Sequence, residues 1–229
     1  MKIRKWLGYF SRGEWGLFLA SVGVTLLAFF LFDGRGYLAL TASLIGATSL
    51  IFNAKGNPFG QVLMILFSLL YSIISYGAHY YGEMLTYLGM TAPMALFALI
   101  AWLRHPYKGN LSEVRVAKIG GWEMLFWLLL SILVSISFYF ILGFFGTANL
   151  LPSTLSVTTS FLAAALTARR SSFYALAYAA NDIVLLVLWI LQAAADRSAV
   201  SVIVCFAVFL VNDLYGFLNW RRMERRQNA

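Results

Sequence analysis

Two Asn-Asp pairs, Asn181-Asp182 and Asn212-Asp213, interrupt long apolar runs in the C-terminal part of the sequence. On a helix, Tyr174, Tyr178, Asn181, Leu185, Trp189 and Gln192 share one face, with Asp182 at its edge. That stripe combines aromatic platforms, amide hydrogen-bonding groups and an acid. It suits a small flat polar molecule, and an acid beside aromatic faces favours a cation. The second pair opens another stripe, Asn212, Tyr215, Gly216 and Asn219. A milder stripe upstream runs through Gln61, Ser68, Ser72, Ser75 and His79, with Tyr71 beside it. The competing reading makes each stripe a polar seam that joins helices, with the Ser residues as packing material.

Catalytic sets are missing. The sequence has no H-E-x-x-H, G-x-S-x-G or P-loop pattern, one Cys (Cys205) and two scattered His (His79, His105). No enzyme, metal or cofactor is expected.

The elements that must carry these stripes follow from composition. Of 229 residues, 61% are hydrophobic, 17% aromatic and 11% charged. Soluble domains run at about 45–50% apolar and about 25% charged. With a mean hydropathy of +0.79, the chain fits neither a soluble nor a disordered class. Eight apolar runs read as membrane spans: 15–32, 37–52, 59–78, 84–103, 122–143, 153–168, 172–193 and 199–220. The runs at 37–52 and 153–168 are short and rich in Ser and Thr, whose hydroxyls can bond their own helix. The segment His79 to Glu83 reads as a break. The first run follows Lys2, Arg4, Lys5 and Arg12, but no A-x-A pattern follows it, so it is kept as a span.

Alternating the connecting segments puts Arg35 and Arg197 on one side and the other fifteen Lys and Arg on the opposite side. Cytoplasmic loops carry such an excess, so both termini are expected in the cytoplasm of an inner-membrane protein. The net charge of +8 and pI of 9.7 then record orientation and need no nucleic acid. Trp220, beside Arg221-Arg222, reads as an interfacial anchor, and Glu123 as an ordinary acid at a helix start. Gly56 and Gly60 form a G-x-x-x-G at a loop-helix junction, weak as a dimer motif. Asp182 and Asp213 have no Lys or Arg at comparable depth. That leaves protonation, ion coupling or a cationic substrate.

The stretch from Leu40 to His105 resembles that from Ser153 to Arg222. Each opens with a Ser/Thr-rich span, passes a basic loop (Lys55; Arg169-Arg170), restarts at a Phe (Phe59; Phe173) and exits through Trp102-Leu103-Arg104 or Trp220-Arg221-Arg222. The expected fold is an all-α polytopic membrane bundle, a 3+1+3 parallel repeat with one extra N-terminal span. Its parts are a basic cytoplasmic N-terminus at 1–14, the extra span at 15–36 and a first three-helix bundle at 37–105. A cytoplasmic loop at 106–121 and the linking span with its outer loop at 122–152 follow. The second bundle at 153–220 and a basic tail at 221–229 complete the chain. Parallel repeats place a substrate near the midplane between halves.

At these residues the chain resembles the PnuC vitamin transporters, a family of 3+1+3 fold akin to a full-length SWEET sugar transporter. The resemblance covers roughly 37–226. It rests on Asn181, Trp189 and Gln192 in the seventh span, on the eighth from Val211 to Arg222, and on the first core helix leading to Asn53-Ala54-Lys55. It implies facilitated uptake of nicotinamide riboside, trapped inside by a cytoplasmic kinase and without ion or ATP coupling. Related substrates are thiamine, riboflavin or deoxyribonucleosides. Asn181, Trp189, Gln192, Asn212, Tyr215 and Asn219 become pocket residues, and Tyr178, Asp182, Gln61 and Tyr71 join them from the stripes above. Tyr174 and Tyr178 stand where the family's tryptophans are expected. Partners are then the vitamin and the bilayer; a second copy of the chain stays open. The rival outside transport is a membrane receptor or scaffold.

Overall fold

Long apolar runs with few backbone breakers satisfy their own hydrogen bonds as helices, the condition for crossing lipid. The computed structural model describes residues 9–147, 149–194 and 196–229. Lys2, Arg4 and Lys5 lie outside the described residues. Among these are eight helices long and apolar enough to span a membrane. We number them α1 (Arg12–Asp33), α2 (Tyr37–Ala54), α3 (Phe59–Gly77), α4 (Tyr81–Arg104), α5 (Gly121–Phe144), α6 (Leu150–Ala168), α7 (Tyr174–Ala193) and α8 (Ala199–Asn228). The chain is a multi-pass membrane protein.

The starts and stops have local causes. At the head of α1, Ser11 accepts the Glu14 amide at 3.3 Å, while Glu14 accepts the Ser11 amide at 2.6 Å. This capping box starts the helix earlier than hydropathy alone suggests. The short spans hold because their hydroxyls bond back one turn: Thr41 to Tyr37 and Thr48 to Leu44, both at 2.7 Å, and Thr154 to Leu150 at 2.8 Å. In α4 the turn Tyr87–Thr91 is widened to π geometry. Pro93 follows it and has no amide to donate to Gly89.

The helices pair in a regular way. α2 and α4 pack on α3, and α6 and α8 on α7. Between the two groups, α2 meets α8 and α4 meets α6. Gly46 makes the first of these contacts close: a Cβ there would stand 2.1 Å from the Phe209 ring. α5 touches α6 through Ser135 and Thr158, whose hydroxyls lie 2.6 Å apart, and leaves most of its apolar surface for lipid. α1 lies along α2 and α8. Its buried Glu14 binds Lys55 at 3.0 Å and accepts from the Tyr215 hydroxyl at 2.9 Å, so it ties α1 to both.

The expected loop after α4 contains a small hairpin, Pro106–Tyr107 with Asn110–Val114. Val114 is fully buried against Gly56 and donates its amide to the Gly56 carbonyl at 2.9 Å. α8 runs on past the apolar stretch to reach this hairpin, where Arg226 pairs with Glu113 and Gln227 donates to it at 2.9 Å. Glu123, at the head of α5, pairs with Arg169 at 2.5 Å.

Two expectations are corrected. Trp220 is no interfacial anchor: it is 0% exposed, and its indole N–H donates to the Asn53 carbonyl at 2.8 Å. The Trp ring buries in the α2–α8 contact because a backbone carbonyl at the end of α2 satisfies its one polar atom. Glu83 is no loop residue. It lies in the first turn of α4, fully buried, with no hydrogen-bond partner for either carboxyl oxygen among the described residues.

Candidate functional site

The α7 stripe does face inward. Asn181, Leu185 and Trp189 are buried, while Leu176, Ile183, Val187 and Ile190 on the opposite side are exposed to lipid. The stripe meets the other helices at two levels.

At the first level lies a central cavity of about 20 Å³, room for roughly one water. Tyr178, Asn181 and Asp182 from α7 line it with Asp213 from α8, Tyr87 and Thr91 from α4, and Ser160 from α6. The Asn181 carbonyl oxygen accepts hydroxyls from Thr159 at 2.8 Å, Ser160 at 2.9 Å and Ser156 at 3.4 Å. The Ser/Thr content of α6 therefore has a purpose beyond helix crossing. It fixes the amide orientation, with the oxygen toward α6. The Asp182 and Asp213 side chains, each 3% exposed, line the same cavity. Among the described residues, Asp182 Oδ2 and Thr91 Oγ1 have no hydrogen-bond partner.

At the second level, away from the basic face, Trp189 and Gln192 line a larger cavity of about 290 Å³. Asp33, the last residue of α1, and Asp196, from the α7–α8 connection, stand at its margin. The Ser198 hydroxyl and amide donate to Asp196 at 2.7 and 2.9 Å and hold its carboxyl below the ordinary carboxylate range, so it is charged at neutral pH.

Tyr71 separates the two levels. Its hydroxyl accepts the Trp189 indole N–H at 2.5 Å, and its ring lies 5.5 Å from Phe67 and 4.4 Å from Tyr87, both lining the central cavity. Tyr80 reinforces this layer: it donates to the Leu188 carbonyl at 2.9 Å and sits edge-on to Trp189 at 5.4 Å. Below the central cavity, toward the basic face, Trp102 and Trp220 meet at 5.3 Å, with Tyr174 4.7 Å from Trp220. The path between the two faces is thus closed by aromatic layers on both sides of the acid pair.

The remaining sequence candidates sit elsewhere. Gln61 donates to the Asn53 side chain at 2.9 Å, near the basic end. Asn212 donates to Ser21 of α1 at 2.9 Å and Tyr215 to Glu14, so both face the extra helix. Asn219 donates to the Ala54 carbonyl at 2.8 Å. In this conformation these four serve helix contacts and do not line either cavity. Sequence reasoning missed Tyr87, Thr91 and Ser160, which carry no polar stripe of their own. The Pro93-linked widening of α4 is the one local signal that points at the first two. It also missed Glu83, hidden by the reading of its segment as a break.

The profile of the family described as nicotinamide mononucleotide transporter matches residues 36–222. The nicotinamide riboside transporter PnuC of Neisseria mucosa is 23% identical over 230 residues, covering 99% of this chain and 87% of that protein. Its namesake from Haemophilus influenzae is 22% identical over 195 residues, covering 84% and 82%. The crystal structure of the vitamin B3 transporter PnuC superposes with a TM-score of 0.86 at 21% identity, covering 96% of this chain and 95% of that one. The profile match spans most of the chain, and the chain belongs to the nicotinamide mononucleotide transporter family.

Proposed function

We propose that the protein carries nicotinamide riboside across the bacterial inner membrane by facilitated diffusion, rocking two three-helix bundles about a midplane site. The observation that carries this reading is the inward stripe of Tyr178, Asn181, Asp182, Trp189 and Gln192, closed on each side by aromatic residues. A flat pyridinium suits Trp189 and the tyrosines, the carboxamide and ribose suit Asn181 and Gln192, and Asp182 balances the charge. The names of the two bacterial relatives support the choice of substrate.

The 3+1+3 repeat draws support from one pair of bonds. Trp220 donates to the Asn53 carbonyl at the end of α2, and Trp102 donates to the Thr167 carbonyl at the end of α6, at 2.9 Å. The two tryptophans and the two acceptors occupy matching places in the two bundles at 37–105 and 153–220. The basic face would be cytoplasmic, with both termini there. A cytoplasmic kinase would then trap the substrate by phosphorylation. Alternating access would require the Tyr71–Trp189 layer and the Trp102–Trp220 layer to open in turn.

Thiamine, also a flat cation, is the second reading that the buried acid pair favours over riboflavin or a deoxyribonucleoside. The melting temperature of the purified protein separates them. Nicotinamide riboside at about 100 times its Kd should stabilise by about 2.7 kcal/mol, with thiamine, riboflavin and thymidine giving less. A larger shift with thiamine would reassign the substrate.

A further inference from the structure

We propose that the outer cavity, which the closed Tyr71–Trp189 layer separates from the central one, is a loading site for a flat organic cation. Asp33 and Asp196 select its charge. The binding site stands on the cavity alone; its place in uptake rests on the cationic substrate proposed above.

At about 290 Å³ the cavity approaches the small end of known ligand sites, about 300–1,000 Å³. The central cavity, at about 20 Å³, admits no organic ring in this conformation. Small residues from three helices keep the outer space open: Ala39 of α2, Gly77 of α3 and Ala199 of α8. A Cβ at Gly77 would still meet nothing within 4 Å.

The lining offers one group for each part of such a ligand. Trp189 is the innermost residue that α7 contributes. Its indole N–H is already given to Tyr71 at 2.5 Å, so what remains for a ligand is the ring, which attracts a cation. Gln192 is half-buried in the same space, and its side-chain amide makes no hydrogen bond among the described residues. Such an amide can both donate to and accept from a polar arm.

The two acids come from separate turns, and the backbone fixes each. Asp33 accepts the Gly36 amide at 2.7 Å. A Cβ at Gly36 would fall 1.9 Å from that carboxylate, so the glycine lets the acid sit there. Asp196 accepts the Ser198 hydroxyl and amide. Among the described residues neither acid forms an ion pair, although Arg35 and Arg197 are close in sequence. No described Lys, Arg or His lines the cavity. His79, next to the lining Ala78, sits 3.0 Å from the Tyr81 hydroxyl instead. Two carboxylates without a counter-charge focus a negative potential into the cavity, which draws in a cationic ring and repels an anion. Trp189 belongs both to the cavity and to the layer that must open, so a ring docked on it touches the closure directly.

The test is equilibrium binding of two probes to the purified full chain: 1-methylnicotinamide, a cationic ring, and nicotinamide, its uncharged counterpart. Wild type should bind the cation about tenfold more tightly. That preference should shrink severalfold as salt rises from about 20 mM to about 500 mM. The double variant Asp33→Asn/Asp196→Asn should lose the preference at an unchanged melting temperature, because each Asn can still accept the same backbone amide. Asn181→Leu, altered at the central cavity, should keep it. A wild type with no preference, a preference that survives the double substitution, or one that Asn181→Leu removes would each overturn the proposal. If the double variant does not fold, the two single Asn variants decide, each expected to lose part of the preference. Flux of nicotinamide riboside is measured separately. A chain that binds the cation but carries no nicotinamide riboside keeps this site and loses the substrate reading.

Discussion

Trp220→Ala is expected to destabilise the protein by about 3–5 kcal/mol, and Trp102→Ala by a similar amount. Each indole is fully buried, and each N–H crosses from one bundle to a backbone carbonyl of the other. Truncation therefore leaves a large void and an orphaned carbonyl together. Because the two rings touch at 5.3 Å, the double variant should lose less than the sum of the singles, by about 1 kcal/mol or more. Chemical unfolding in detergent measures all three variants. Trp220→Phe should recover most of the packing loss but not the bond. Additive losses would mean that the two contacts are independent, and that Trp102 and Trp220 do not form one closure.

The second large effect is on transport. Asn181→Leu should lower kcat/KM for uptake by about 100-fold, equivalent to about 2.7 kcal/mol. The amide is held by three hydroxyls of α6 at the wall of the central cavity, so its position is fixed before any ligand arrives. Stability should change little by comparison. The Thr159 hydroxyl lies 3.1 Å from the Leu155 carbonyl and can turn its one hydrogen there when Asn181 is lost. A collapse of melting temperature in step with the flux would instead make Asn181 part of a structural seam. Measuring both on one preparation separates the two roles.

The helices were legible in the sequence because lipid demands long uncharged runs, and the runs mark the spans to within a few residues. The α7 stripe was legible too, since Asn181 and Trp189 stand out against an apolar background at helical spacing. Asn212, Tyr215 and Asn219 show the limit of that method. A helical wheel says which residues share a face. It does not say which neighbour that face meets, and here α1 and the end of α2 take the face of α8. Trp220 misled for a related reason: a Trp beside two Arg has the composition of an interfacial anchor, and only the acceptor carbonyl of Asn53 reveals its burial. Glu83 was hidden because an acid preceded by Tyr80, Tyr81 and Gly82 lowers local hydropathy, which reads as a break where the chain has already re-entered the helix. Tyr87 and Thr91 reach the cavity by way of the widened turn of α4, and a regular 3.6-residue period does not anticipate that.

Flux through this chain decides whether it is a transporter. Uptake of labelled nicotinamide riboside into proteoliposomes containing the purified protein measures it directly. The expected result is saturable, bidirectional flux without ATP that unlabelled nicotinamide riboside suppresses, reduced strongly by Asn181→Leu and by Trp189→Ala. No saturable flux from a folded, membrane-inserted preparation would contradict the account and leave a receptor or scaffold whose inward stripe is a helix seam.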